Sequence, residues 1–137
     1  MKKNQMSAIK KTKKSLLISL IFWLHLPLVV ILFGIFFIPL SLWPGRIEFH
    51  FWFISTLLFL QLLWGVVLYP KTGKIDFICP LTTVMQSLRG FPIESKENYN
   101  HSFIAELLGK LRINISFFWV DVLLLIIFII VSFQYFW

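Results

Sequence analysis

The sequence predicts an all-α membrane protein with three transmembrane helices and one or two short amphipathic helices in the second connecting loop. Hydrophobic residues make up 58% of the 137-residue chain and charged residues only 14%, whereas soluble domains contain about 25% charged residues. The apolar residues form three blocks that are long enough for the roughly 20 residues a helix needs to cross ~30 Å of hydrocarbon. Since the apolar residues do not alternate with a period of two, a β-barrel is not expected.

The first segment is a basic tail, residues 1–14, which precedes a single transmembrane domain, residues 15–137. The tail contains six lysines. Because Lys and Arg concentrate on the cytoplasmic side of a membrane, these lysines predict a cytoplasmic N-terminus. The run that follows is uncharged from Ser15 to Gly45, much longer than the h-region of about 7–15 residues in a signal peptide. We interpret this run as an uncleaved anchor.

Transmembrane spans are predicted at residues 16–40, 49–69 and 113–135, in the bacterial inner membrane. The loop 70–112 then lies in the cytoplasm, and the C-terminus lies on the outer side. Aromatic residues support this orientation because such rings concentrate at membrane interfaces; those expected at the outer interface are Trp43, Trp52, Tyr135 and Trp137. The basic residues follow this topology, so membrane lipids and other membrane subunits, rather than nucleic acid, are the expected partners.

The inner loop contains two amphipathic patterns. One apolar face is formed at i, i+3, i+4 and i+7 by Leu81, Val84, Met85 and Leu88. Pro80 and Gly90 suit the start and end of this helix, which is expected to lie along the membrane surface or beneath the bundle. A second helix is predicted to begin near Ser102, to pair Glu106 with Lys110, and to continue into the third span.

Each span contains one strongly polar side chain at a similar expected depth. At 1.5 Å per residue from the inner side, Asp121 lies roughly 14 Å deep, Gln61 roughly 15 Å and His25 roughly 16 Å. Ionisable groups inside membranes usually face the bundle interior and pair, so we predict a buried His25–Asp121 pair with Gln61 as hydrogen-bond partner. This cluster is either a structural clamp or a proton, quinone or cofactor site, unless Asp121 faces another subunit. Gly65, one turn from Gln61, is expected to let a neighbouring helix approach closely.

Cys79 is the only cysteine of the chain and stands directly before the predicted helix at Pro80. A thiol at a helix N-terminus is activated by the helix dipole, and a cysteine close to a membrane is a candidate for palmitoylation. The competing interpretation is a small, partly buried residue without chemical function. The sequence favours that interpretation because only His101, in the same loop, offers a base that folds back towards the thiol.

No motif in the sequence predicts an enzyme or a metal site. Haem would require two histidines at compatible depth, and His25, His50 and His101 fall at three different levels; no cofactor is therefore predicted, with haem or quinone as lesser options. Because three helices with bulky side chains all round need lipid or protein to cover them, the predicted function is an accessory or scaffold subunit of a larger membrane complex. The alternative is a small redox, quinone-binding or proton-handling protein that uses His25 and Asp121.

The stretch from Cys79 to about Leu111 resembles a family of small bacterial membrane proteins of unassigned function. Members of that family carry CPLT, then a leucine-arginine pair, a tyrosine, and a Phe-Ile before an apolar helix. The matching residues are CPLT at 79–82, Leu88-Arg89, Tyr99 and Phe103-Ile104. The resemblance implies a small multi-span bacterial membrane protein and transfers no activity.

Overall fold

The chain is built from helices joined by short turns and one extended segment. The computed structural model describes residues 2–99 and 101–137, with the side chains of 12–95, 97–98 and 101–137. Helix α1 (Lys2–Gly34) ends in a 3-10 turn, Ile35–Phe37, and is followed in order by α2 (Arg46–Thr72), α3 (Pro80–Arg89), α4 (Lys96–Tyr99), α5 (Phe103–Lys110) and α6 (Phe117–Phe136). Within these described ranges there is no β-strand.

Three helical stretches are long and apolar enough to cross a membrane: Thr12–Phe37, Arg46–Thr72 and Phe117–Phe136. They confirm the predicted fold class. The backbone of residues 2–14 is helical and continuous with the first span, whereas the side chains of Lys2, Lys3, Lys10 and Lys11 lie outside the described residues. The third span begins at Phe117 rather than at 113 because residues 111–116 form an irregular link, in which Arg112 adopts a φ of 64°. Helix α5 therefore does not continue into α6.

The turn between α1 and α2 is held by two side chains from the first two turns of α2. The Arg46 guanidinium donates a hydrogen bond to the Ile35 carbonyl at 3.0 Å. The fully buried His50 ring donates from Nε2 to the Leu32 carbonyl at 2.9 Å. The last carbonyls of a helix lack partners within that helix, and they carry partial negative charge that a guanidinium stabilises. Arg46 and His50 therefore fasten the end of α1 to the start of α2.

Two separate buried clusters form the core. At the end of the bundle near the α1–α2 turn, α1, α2 and α6 meet through Leu32, Ile54, Ile127 and Val131. At the other end, α3 and α5 pack against α1 through Ile21, Phe22, Met85 and Phe103. Helix α1 thus packs directly on α2 and α6 at one end and on the two short helices at the other.

The chain that follows α2 turns back along it. Gly73 ends α2 in the left-handed conformation, with a φ of 67°, and the amide of Ile78 then donates to the carbonyl of Gln61 at 3.3 Å. Gln61 lies 11 residues before Thr72, about 16 Å along the helix. The extended residues 73–79 cover about 20 Å at 3.3 Å per residue. Cys79 therefore lies beside the middle of α2 rather than near its end.

Gly65 allows this return because its missing side chain leaves room for backbone. A Cβ atom on Gly65 would overlap the carbonyl oxygen of Asp76. The sequence predicted a close neighbour at Gly65, but the neighbour is the extended segment 73–79 rather than a helix.

Helix α3 lies between α1 and α2, and it buries polar as well as apolar side chains, while Val84 and Ser87 stay exposed. Met85 packs into the cluster on α1, and three polar side chains of α3 are also buried: Thr82, Thr83 and Gln86. On the α2 side, the Trp64 indole donates to the Thr83 hydroxyl at 3.1 Å. Of the two expected locations, along the membrane surface or beneath the bundle, the structure does not have the first: α3 packs against α1 and α2, because its small hydroxyl-bearing residues find partners in the bundle instead of water.

Gly65→Ala is expected to push residues 73–79 off α2 and to lower the free energy of unfolding by about 1–3 kcal/mol, the usual cost of overpacking. Thermal unfolding in mild detergent measures this loss. Gly109→Ala is the matched control, because a Cβ atom there meets nothing within 4 Å, and it should be neutral or stabilising. Equal stability of the two variants would contradict the close approach at Gly65.

Candidate functional site at Cys79 and His25

His25 of α1 and Cys79 at the start of α3 form the centre of the candidate site. The buried His25 ring has its Nε2 atom 3.6 Å from Cys79 Sγ and 3.4 Å from Thr82 Oγ1, while its Nδ1 atom lies 2.9 Å from the Ile21 carbonyl oxygen. A carbonyl oxygen only accepts, so Nδ1 carries the proton in the neutral ring. Nε2 then accepts hydrogen bonds from the Cys79 thiol and the Thr82 hydroxyl. His25 is thereby oriented as a base towards Cys79.

Phe103 of α5 fixes the plane of the imidazole. The Phe103 and His25 rings are stacked, with centroids 4.6 Å apart and an interplanar angle of 16°. Phe103 is itself buried against Phe22, at a centroid distance of 4.8 Å. A nucleophile, a base within hydrogen-bond reach, and a group that orients the base are the three parts of an activated thiol site. Cys79, His25 and the Ile21 carbonyl supply them.

Cys79 also caps a helix whose first amides lack intrahelical acceptors. Its backbone is extended, with φ −70° and ψ 123°, and Pro80 occupies the first helical position. Proline has no N–H, so Leu81 and Thr82 carry the first amide protons of α3, and helix geometry gives these amides no partner within the helix. Amides at this position, together with the positive end of the helix, stabilise negative charge close to Cys79.

An apolar cavity of about 490 Å³ opens beside Cys79. Its walls come from α1, α2 and the start of α3, and its polar lining residues are Thr56, Gln61 and Cys79. On α2 the lining extends from Phe49 to Gln61, about 18 Å along the helix. The volume falls within the ~300–1,000 Å³ of ligand pockets, which are likewise mostly apolar with few polar groups.

A second, smaller cavity of about 90 Å³ lies on another side of Cys79. Its lining includes several polar side chains: Gln61, Cys79, Thr82, His101, Ser102 and Asp121. A polar cavity of this size has room for water, which needs roughly 10–15 Å³. Because Cys79 lines both cavities, its thiol borders the large apolar cavity on one side and the small cavity with several polar side chains on the other.

Gln61 and Asp121 line the same two cavities, but the structure does not form the predicted buried His25–Asp121 pair with Gln61 as its hydrogen-bond partner. Both ring nitrogens of His25 have other partners, and Asp121 is exposed on α6 while lining the small cavity. Because α6 begins at Phe117, Asp121 lies in its second turn, about 6 Å from the start of the helix.

The sequence interpretation missed the base that accompanies Cys79, because His25 is 54 residues away along the chain. His101, the base considered instead, lines the small cavity. Two signals pointed to the true arrangement. Gly65 marked a close approach to the middle of α2, and Thr82 and Thr83 marked a helix with hydroxyls where a surface helix would carry charges.

An ion pair ties α3 to α5. The Arg89 guanidinium donates to both carboxylate oxygens of Glu106, at 2.9 and 2.7 Å, and His101 Nε2 lies 3.0 Å from Glu106 Oε2. Glu106 was predicted to form its ion pair with Lys110, but the Lys110 ammonium instead lies 3.4 Å from the centroid of the Phe22 ring. Since Phe103 is one turn before Glu106, the Arg89 bridge holds α5 where Phe103 stacks on His25.

The charge states of these loop residues follow from that bridge. Burial raises the pKa of the Glu106 carboxyl, but the hydrogen bond and charge of Arg89, together with His101 and Lys110, outweigh burial, so this pKa lies below its ordinary value. The hydrogen bond from Arg89 to Glu106 raises the pKa of Arg89. Burial lowers the pKa of His101, and the Glu106 charge only partly opposes it. The bridge is therefore fully ionised at neutral pH, with His101 neutral beside it.

Glu106→Gln is expected to lower the free energy of unfolding at pH 7 by about 1.5–3 kcal/mol, because a charged hydrogen-bond partner is lost. The folded-state pKa of Glu106 is depressed, so its stabilisation is complete above the ordinary carboxyl pKa of about 4.3 and is lost as pH falls through the lower folded value. Thermal unfolding from pH 7 to pH 3 measures both effects.

In that experiment Glu106→Gln should flatten the loss of stability on the acid side. Glu97→Gln, at an exposed side chain, is the control and should follow the wild type. An unchanged acid-side loss in Glu106→Gln would argue against the bridge.

The chain matches no protein-family model, no curated protein and no solved structure. The resemblance carried by CPLT and Leu88-Arg89 therefore stays a prediction. Function has to be inferred from Cys79, His25 and the two cavities that meet at the thiol.

Proposed function

We propose that the protein is a small integral membrane protein that binds a lipophilic molecule between its helices and presents it to the thiol of Cys79. One observation carries the proposal: Cys79 lines the 490 Å³ apolar cavity and also lies 3.6 Å from His25 Nε2. The proposal shares with the alternative expected from the sequence, a redox, quinone-binding or proton-handling protein that uses His25 and Asp121, only a ligand held near His25; here Cys79, and not Asp121, is the partner of His25.

The walls of the apolar cavity favour a ligand that is apolar over most of its length and polar at one end. Trp52, Phe53 and Leu60 offer it hydrocarbon and aromatic surface, whereas Gln61 and Cys79 offer hydrogen bonds at one end. A quinone headgroup or an acyl carbonyl on a long hydrocarbon chain meets both requirements. The polar side chains that line the 90 Å³ cavity extend from Cys79 to Asp121, so water that entered it would connect the thiol with this carboxylate for proton exchange.

The proposed location is the bacterial inner membrane, with the N-terminus in the cytoplasm and the C-terminus outside. Most basic residues beyond the tail lie between α2 and α6, which favours the cytoplasm for that connection. At the other end of α2, Arg46 follows the α1–α2 turn, and its charge is engaged by the carbonyls of Ile35 and Phe36. In this orientation α3 is a half-helix that starts near the middle of the bilayer. The extended segment before it then lies at membrane depth, where non-helical backbone is tolerated if it is buried in protein or lines a cavity.

A second proposed role, an accessory or scaffold subunit of a larger membrane complex, is favoured by Asp121. This carboxylate is exposed on a helix long and apolar enough to cross a membrane, and an apolar recess of about 250 Å³ lies beside it. Carboxylates on transmembrane helices normally have a partner. A neighbouring subunit with a cation or amide that faces Asp121 would supply one.

The lipophilic-ligand proposal predicts that the apolar cavity is the route to Cys79. In lipid nanodiscs, a long-chain N-alkylmaleimide should label Cys79 at least tenfold faster than a sulfonated maleimide. Leu60→Trp, which narrows the cavity, should slow the N-alkylmaleimide several-fold because the reagent no longer fits. Labelling is followed by intact mass.

Leu62→Trp is the control for that experiment, since Leu62 is on α2 but outside the cavity lining. It should label at the wild-type rate, which separates access through the cavity from simple partition of the reagent into lipid. If Leu60→Trp labels as fast as Leu62→Trp, the cavity is not the route and the proposal fails.

The subunit proposal predicts a stoichiometric complex when the tagged protein is extracted in mild detergent and its native mass is measured with the co-purifying chains identified. Asp121→Asn should release the partner, because it removes the charge that the partner faces, whereas Asp121→Glu should retain it. A wild-type protein that runs alone or only with copies of itself would rule this role out.

A further inference from the structure

We infer that Cys79 is an acyl acceptor: its thiol attacks the carbonyl of a fatty acyl donor held in the apolar cavity and forms a thioester. The inference rests on the proposed function, because it names the substrate class of the same cavity. Three features of the described residues carry it, namely a base for the thiol proton, donors for the oxygen of the attacked carbonyl, and a cavity that matches an acyl chain.

The base is His25. Its Nδ1 proton is committed to the Ile21 carbonyl at 2.9 Å, so Nε2, 3.6 Å from Sγ, is free to take the thiol proton. The ring is stacked on Phe103, which keeps Nε2 aimed at Cys79 and Thr82. A histidine held in this way is the usual general base for a cysteine nucleophile.

The oxygen donors are the amides at the start of α3. When Sγ adds to a carbonyl, negative charge develops on the carbonyl oxygen, and backbone N–H groups at a helix N-terminus stabilise such an oxyanion. Leu81 and Thr82 carry the first two N–H groups of the helix, two and three residues beyond Cys79. Both amides also lie close enough to the Cys79 sulfur to interact with it, so they stabilise negative charge on the thiolate and on a carbonyl oxygen bound beside it.

The cavity accounts for the acyl chain. It is lined along about 18 Å of α2 from Gln61 to Phe49, it is about 490 Å³ in volume, and Cys79 and Gln61 are close to one end of it. An extended hydrocarbon chain fits such a shape with its carbonyl at Cys79. Disulfide formation within the chain is excluded as an alternative fate of the thiol because Cys79 is its only cysteine.

The step balances without an oxidant or reductant. The Sγ–C bond forms, and the bond from the acyl carbon to the sulfur of a donor thioester, or to the oxygen of a phospholipid ester, breaks. The thiol proton passes to His25 Nε2 and then to the departing thiolate or alkoxide. The products are the Cys79 thioester and a free thiol or lysophospholipid.

The test is acyl transfer to the purified protein in nanodiscs, followed by intact mass and by release of the adduct with hydroxylamine. Palmitoyl-CoA in one arm and palmitoyl phospholipid in the other distinguish the two donor sources. The wild type should gain one palmitoyl group from at least one donor, and Cys79→Ser should gain none. His25→Asn should react about 100-fold more slowly, as expected when a general base is removed.

Two controls keep the result specific. Cys79→Ser/Val84→Cys moves the thiol to an exposed position on the same helix, away from His25, and should acylate at least tenfold more slowly than the wild type. Leu60→Trp should also slow transfer, whereas Leu62→Trp should not. Thermal unfolding of His25→Asn shows whether the bundle is intact. If it is not, the comparison of the wild type with Cys79→Ser/Val84→Cys tests the inference instead.

Each outcome supports or overturns the inference. Equal rates for the wild type and the relocated thiol would mean that acylation is unassisted, and the inference would be overturned. If Cys79 is labelled through the cavity by the long-chain maleimide but takes no acyl group from either donor, acyl transfer fails while ligand binding stands. If Leu60→Trp changes neither reaction, both proposals fail.

Discussion

The close contact between the backbone of Asp76 and Gly65, which has no side chain, determines where Cys79 and His25 meet. Because Gly65 lets the extended segment lie directly on α2, the amide of Ile78 reaches the carbonyl of Gln61, and the next residue, Cys79, comes to lie beside the middle of the helix. A side chain at position 65 would hold the segment away from α2 and so displace the start of α3, where Cys79 meets His25. A packing constraint thus determines the position of the site.

The half-helix α3 is held from both sides by polar contacts that are modest individually. Trp64 bonds Thr83 from the α2 side, while His25 meets Thr82 and Cys79 from the α1 side. The Arg89–Glu106 bridge secures the far end of the helix and, through α5, the ring that stacks on His25. A buried polar group without a partner lowers the stability of the fold. Each of these polar contacts therefore favours the one position of α3 in which all of the contacts form.

The sequence was sufficient for the three spans and for the existence of α3 and α5, since long apolar runs and amphipathic spacing are local properties. Depth counting also placed Gln61 correctly at mid-helix and brought it near Asp121. Depth counting failed for the His25–Asp121 pair because it assumed that the loop 70–112 stays outside the bundle. Cys79 was therefore not considered at the depth of His25. The Glu106–Lys110 pair failed for a related reason: helical spacing makes Lys110 available, but only the fold shows that Arg89 approaches more favourably.

The apolar cavity lies between helices that cross the membrane, and exposed side chains such as Trp52 and Leu60 line it. A molecule that occupies the cavity therefore arrives sideways, from the lipid phase, and not through water. The concentration that governs occupancy is then the number of ligand molecules per lipid, so a compound that is scarce in the aqueous phase can still saturate the protein. Under the proposed function, membrane composition, acyl-chain length included, would set how often the thiol at Cys79 encounters a reactant.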